Sequence, residues 1–232
     1  MKIKEKLKSV YTDESGRRIT KETDNWSGIL FGWPISIPVA KLLSRFPRIQ
    51  PNHVTLACIP AGVLSGYMFF LGELKLGALF YWVFFVLDGV DGNLARLTNR
   101  TSEFGKKLDF YTHIINSTAM FLGLWWSQYY LAGEGFIGAI IILSHYIVMG
   151  FGYLFVKKWT YKTIIPRVHS YYSSLEEAFG TFFIAPMLNM VRILLPMLII
   201  IEFISFLILF LRQDKKPTFE EMKDRIRKKF GM

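Results

Sequence analysis

The chain has 232 residues, 52% of them hydrophobic and 16% aromatic, with a formal net charge of +10. Length alone would allow one or two soluble domains, but repeated long apolar runs exclude an ordinary globular protein. A single cysteine, Cys58, excludes an internal disulfide and any cysteine-based metal site.

In chain order, 1–48 is expected to be a cytoplasmic N-terminal segment. Within 26–47, Ile29, Leu30, Trp33, Ile37 and Leu43 mix with Lys41 and Arg45, which predicts a short amphipathic helix lying on the membrane surface. Pro34 and Pro38 must then sit near its start or break it. The first long apolar stretch follows this charged leader, so a cleaved secretory signal is not expected. Residues 49–72 carry no Asp, Glu, Lys or Arg, and similar stretches recur at 76–95, 110–130, 136–156, 174–191 and 193–211. A helix needs about 20 mostly apolar residues to cross the hydrocarbon core. The expectation is an all-α integral membrane protein with six transmembrane helices over 49–211. The fifth has Glu176 and Glu177 at its start and Pro186 inside it. The charged tail 212–232 is expected to be a cytoplasmic surface helix or disordered, and no internal repeat is evident.

With six spans, 26 of the 28 Lys and Arg residues fall on the side of the two termini. The positive-inside rule makes that side cytoplasmic, at the cell membrane in a prokaryote. Basic loops beside a bilayer attract anionic membrane lipids. Nucleic acid is not an expected partner.

The second stretch is apolar from Leu76 to Leu87 and turns polar at Asp88, toward its cytoplasmic end. Asp88, Asp91, Gly92 and Ala95 recur at helical spacing and share a face. In the third, Gly105, Asp109, His113 and Asn116 or Ser117 form another stripe. The connecting loop is short, so the two helices are antiparallel neighbours whose polar stripes can meet. Ionisable groups at membrane depth are costly and mark functional sites. Three carboxylates this close repel one another unless a cation joins them, and oxygen ligands suit a hard divalent ion such as Mg²⁺ or Mn²⁺. An ion held there would grip a diphosphate.

The run Asp88, Asp91, Gly92, Ala95, Arg96, then eight residues, Gly105, Asp109 resembles the CDP-alcohol phosphotransferase family, whose pattern is D-x2-D-G-x2-A-R-x8-G-x3-D-x3-D. Pro51, Asn52 and Thr55 are similar to the opening of that family's first span. The last motif position differs, with His113 where the family has aspartate. The resemblance implies a membrane enzyme in which an acceptor hydroxyl attacks the lipid-bearing phosphate of a CDP-lipid and CMP leaves, as a step of phospholipid biosynthesis. It implies metal binding by Asp88, Asp91 and Asp109. The CDP moiety would rest against Asp88, Gly92, Ala95, Arg96 and Gly105, and His113 would activate a small alcohol acceptor. Histidine can take that role because neutral imidazole accepts a proton near pH 7. The family also suggests a homodimer. Two alternatives stay open: a small CDP-alcohol donor with a lipid acceptor, and a catalytically silent homologue that binds nucleotide-lipid.

Lys157, Lys158, Lys162 and Arg167 precede the fifth span, and Lys157, Lys158 and Arg167 are candidates for binding an acceptor phosphate. Glu176 and Glu177 either select the acceptor or cap a helix start. His145, mid-span, is expected to be a helix-packing hydrogen bonder. Trp125, Trp126, Tyr129 and Tyr130 read as an aromatic belt at the outer boundary.

Overall fold

The computed structural model describes residues 27–155, 178–212 and 218–230. The candidate acceptor residues Lys157, Lys158 and Arg167, together with Glu176 and Glu177, lie outside the described residues. Every element is helical, and there is no strand among the described residues. A π turn, Gly28–Gly32, runs into α1, Trp33–Leu43. The helices α2 (Pro51–Phe70), α3 (Leu74–Leu97) and α4 (Glu103–Trp125) follow, α4 being prolonged by a π turn at Trp126–Tyr130. Then come α5 (Gly135–Phe155), α6 (Gly180–Ile184 with Ala185–Met187), α7 (Val191–Arg212) and α8 (Phe219–Phe230).

Local chemistry sets the ends. Pro51 opens α2, where its missing N–H costs nothing. Gly72, at φ 82°, turns the chain from α2 into α3. Ser102 caps α4, its Oγ accepting from the Gly105 N–H at 3.0 Å. That cap starts α4 earlier than the apolar run beginning at 110, because the first turn is charged and reaches beyond the apolar body. Thr218 and Glu221 form a reciprocal capping box that nucleates α8.

Among the described residues, two helices, Pro51–Phe70 and Val191–Ile208, are long and apolar enough to cross a membrane. At 24 and 23 residues, α3 and α4 have the length, but they carry the charged motif. Large apolar side chains stand exposed around the helices: Leu56, Val63, Leu64 and Phe70 on α2, Phe136, Ile140 and Leu143 on α5, Ile193, Ile200 and Phe203 on α7.

The helices α2, α3 and α4 form the tightest group. A side chain at Gly123 would collide with the backbone of α2 at Gly66, so glycine lets these two helices touch. The core continues through Phe69, Tyr81, Phe84, Phe85, Phe121 and Leu124 to Phe179 and Phe182 of the α6 region and to Leu195 and Ile199 of α7. Between α5 and α7, His145 Nδ1 lies 2.9 Å from Glu202 Oε2, so the histidine is indeed a packing partner. Arg192 and Glu134 pair across the last two hairpins.

The α1 segment is helical, as its sequence predicts, and packs against α3. Trp82 Nε1 donates to the Phe31 carbonyl, Gly32 faces the Phe85 ring, and Ser36 touches Gly89 and Asn93. The segment therefore packs along α3 from Trp82 to Asn93. The reason is a stripe of small residues at every fourth position, Gly28, Gly32, Ser36 and Ala40, all buried. Such a stripe lets helix backbones approach closely. Pro38 sits within α1 without ending it.

Candidate active site

The polar ends of α3 and α4 meet at a cavity of about 160 Å³, lined by Asp88, Asp91, Gly92, Asn93 and Arg96 from α3 and by Asp109 and His113 from α4. Helical spacing puts Asp88 and Asp91 on one turn, and Asp109 and His113 one turn apart on the facing helix. His113 Nε2 lies 3.0 Å from Asp88 Oδ1 and 3.4 Å from Asp109 Oδ1. The Phe84 ring meets the imidazole edge-on, with centroids 5.6 Å apart, and limits its rotation. Asp88, Asp109 and His113 each offer a ligand atom, all within 4.8 Å of one another. The carboxylate oxygens of Asp88 and Asp109 are donors that fit a hard divalent ion, and the His113 imidazole stands beside them.

Asp91 is held differently. Its Oδ2 accepts from the Thr55 hydroxyl of α2 at 2.6 Å, and its side chain is buried on the wall of the same cavity. Of the three expected metal carboxylates, the structure thus groups Asp88 and Asp109 with His113 and ties Asp91 to Thr55. Gly92 lines the cavity with Arg96 lying against it, whereas Ala95 and Gly105 are not among the lining residues. Gly105 instead sits close to Asn52 Oδ1. Asn116, one of two residues expected to extend the α4 stripe, turns toward α2 and donates to the Cys58 carbonyl at 3.0 Å. Ser117 donates to the Ile114 carbonyl of its own helix.

Four lining residues come from the α1 segment and the turn before it, which the sequence reading did not connect with the site: Gly28, Gly32, Trp33 and Ser36. The small-residue stripe was the signal that could have found them. Asn93 was also missed, as a variable position between the fixed residues of the motif. Arg96 Nη2 donates to Asn93 Oδ1 at 2.7 Å, and Asn93 Nδ2 donates to Ser36 Oγ at 3.2 Å. The cavity lining therefore includes three carboxylates, a guanidinium, and Trp33 with two glycines from α1 and the turn before it. It can hold a metal-bridged anion between the carboxylates and the guanidinium.

Curated relatives share part of this chain. It is 32% identical over 110 residues to a phosphatidylinositol phosphate synthase of Mycobacterium bovis, across 47% of this chain and 50% of that protein. A protein of the same name from Mycolicibacterium smegmatis is 34% identical over 110 residues, covering 47% and 49%. A bifunctional IPC transferase and DIPP synthase of Thermococcus kodakarensis is 36% identical over 75 residues, 32% of this chain and 17% of that one. The chain spans about half the length of the synthases it matches. The family profile described as CDP-alcohol phosphatidyltransferase matches residues 48–210, from the start of α2 nearly to the end of α7. With that match covering most of its length, the chain belongs to the CDP-alcohol phosphatidyltransferase family.

Proposed function

We propose that the protein transfers a phosphatidyl-type group from a CDP-lipid to a small hydroxylic acceptor, releasing CMP, in phospholipid biosynthesis. The observation that carries this reading is the meeting of Asp88, Asp109 and His113 on one cavity that Arg96 also lines. The names of the synthase relatives make an inositol phosphate the first acceptor to try. The exposed apolar surfaces of α2, α5 and α7 support a membrane setting. Six spans, cytoplasmic termini and a cytoplasmic active site follow from the charge distribution. A homodimer is part of the same reading.

Asp88, Asp91 and Asp109 would hold Mg²⁺ or Mn²⁺, which supplies neutralisation of charge on the diphosphate and on the departing CMP. Thr55 fixes one oxygen of Asp91, so that carboxylate keeps its orientation while substrate enters. Gly92, and the backbone near Ala95 and Gly105, leave room for the CDP moiety, and Arg96 offers N–H donors to a phosphate. His113 takes the proton of the acceptor hydroxyl as its oxygen attacks the lipid-bearing phosphorus. The Asp88 and Asp109 carboxylates then stabilise the imidazolium. Lys157, Lys158 and Arg167 are the proposed contacts for a phosphorylated acceptor.

The test is CMP release by purified protein with CDP-diacylglycerol, a panel of polyols and polyol phosphates, and either cation. Release that needs both the divalent ion and one acceptor supports the reading. A headgroup label passing instead from a small CDP-alcohol to lipid would reverse the partners. No release across the panel, with no stabilisation by any CDP compound, would overturn it.

A further inference from the structure

Arg96 lies against its own helix, with Nη1 and Nη2 at 3.4 and 3.3 Å from where a side-chain carbon on Gly92 would stand. A larger residue at 92 would lift the guanidinium away. One turn of α3 thus provides a flat seat, and Asn93 holds the group in it through its carbonyl oxygen. Guanidinium nitrogens only donate, so the accepting end of the Asn93 amide must face Arg96. The donating end then needs a partner, because Asn93 is 2% exposed and water cannot serve it. Ser36 Oγ of α1, itself fully buried, is that partner. Without Ser36 the amide would carry an unsatisfied N–H₂ and lose the contact that fixes its rotation.

We infer that Ser36 and Asn93 are positioning residues for Arg96, making α1 part of the donor-binding machinery through a Ser36–Asn93–Arg96 hydrogen-bond chain. The chain sets the guanidinium toward the cavity that Asp88, Asp91, Asp109 and His113 line, where the phosphate of a cytidine nucleotide would meet it. A long flexible cation already seated loses less freedom when the anion binds, so the arrangement strengthens donor binding more than it speeds the chemical step. This inference rests on the CDP-donor reading of the cavity.

The experiment uses the full-length protein in detergent, with CMP and CDP-diacylglycerol as probes and the steady-state KM for the donor as the main readout. Asn93→Leu keeps the side-chain volume and should raise that KM about tenfold, the scale of one lost hydrogen bond to a charged group. Ser36→Ala, which removes a single oxygen, should raise it about threefold by the weaker neutral bond. In both, kcat should fall less than KM rises, and stabilisation by CMP should shrink in parallel. In an Arg96→Ala background neither substitution should add a further loss, since they act through Arg96.

Stabilisation of the wild type by CMP with unchanged donor KM in both variants would leave the donor reading standing and overturn the positioning role. A lowered melting temperature with normal donor KM would do the same, reducing the contact to a staple between α1 and α3. Independent, multiplicative losses with Arg96→Ala would also overturn it. If the wild type itself responds to neither probe, the donor reading fails and this inference falls with it. Should Asn93→Leu not fold, Ser36→Ala decides alone.

Discussion

At His113 the chain has an imidazole where a carboxylate was expected, yet its Nε2 lies within hydrogen-bond reach of Asp88 and near Asp109. If it takes the acceptor's proton, His113→Ala should lower kcat by about 10²-fold or more. His113→Asp, which restores a shorter base, should recover part of that loss in CMP release at saturating donor. Thr55 makes a different kind of contribution. Thr55→Val keeps the shape but leaves the buried Asp91 oxygen unpartnered, a cost of about 1–3 kcal/mol. A lower melting temperature and weaker stabilisation by Mn²⁺ are expected together. The pairing of Asp109 with His113 was legible in the sequence, since four residues along a helix bring two side chains to one face. The pairing of Asp91 with Thr55 was not, because it depends on how α2 sits against α3, 36 residues away.

Between elements, α5 meets α7 through the Phe151–Phe206 and Phe155–Phe210 ring contacts and through His145 with Glu202, the latter 1% exposed. Its Oε1 has no hydrogen-bond partner among the described residues. Polar contacts between membrane helices average below about 1 kcal/mol, so the pair itself adds little. Removing one partner is different, since a buried charge left alone costs about 3 kcal/mol or more. His145→Leu should therefore destabilise strongly, while His145→Leu with Glu202→Leu should regain most of the loss in thermal denaturation of the detergent-solubilised protein. His145 was read correctly from sequence as a packing group. Glu202 escaped notice because it is one carboxylate within an otherwise apolar run and has no helical partner on its own strand of sequence. The contact of α1 with α3 escaped for the opposite reason: the buried Gly28, Gly32, Ser36 and Ala40 stripe carries no charge to draw attention.

For the whole molecule, the proposed six-span arrangement makes a topological statement that a single native cysteine renders testable. In a Cys58→Ala background, a cysteine placed at Asn99, between α3 and α4, should react with a membrane-impermeant maleimide only from the cytoplasmic side. One placed at Ala132, between α4 and α5, should react only from outside. Labelling of both from one face would require a different count of spans. The helical class was readable from the apolar runs. The order in which helices pack was not, because glycine contacts such as Gly66 with Gly123 depend on shape and leave no hydropathy signal.

Asp88, Asp91, Arg96, Asp109 and His113 all hang from one helical hairpin, α3 and α4. Among the described residues, none from α5, α6 or α7 lines the cavity, so a change in those helices can reshape its surroundings while leaving the charged side chains in place.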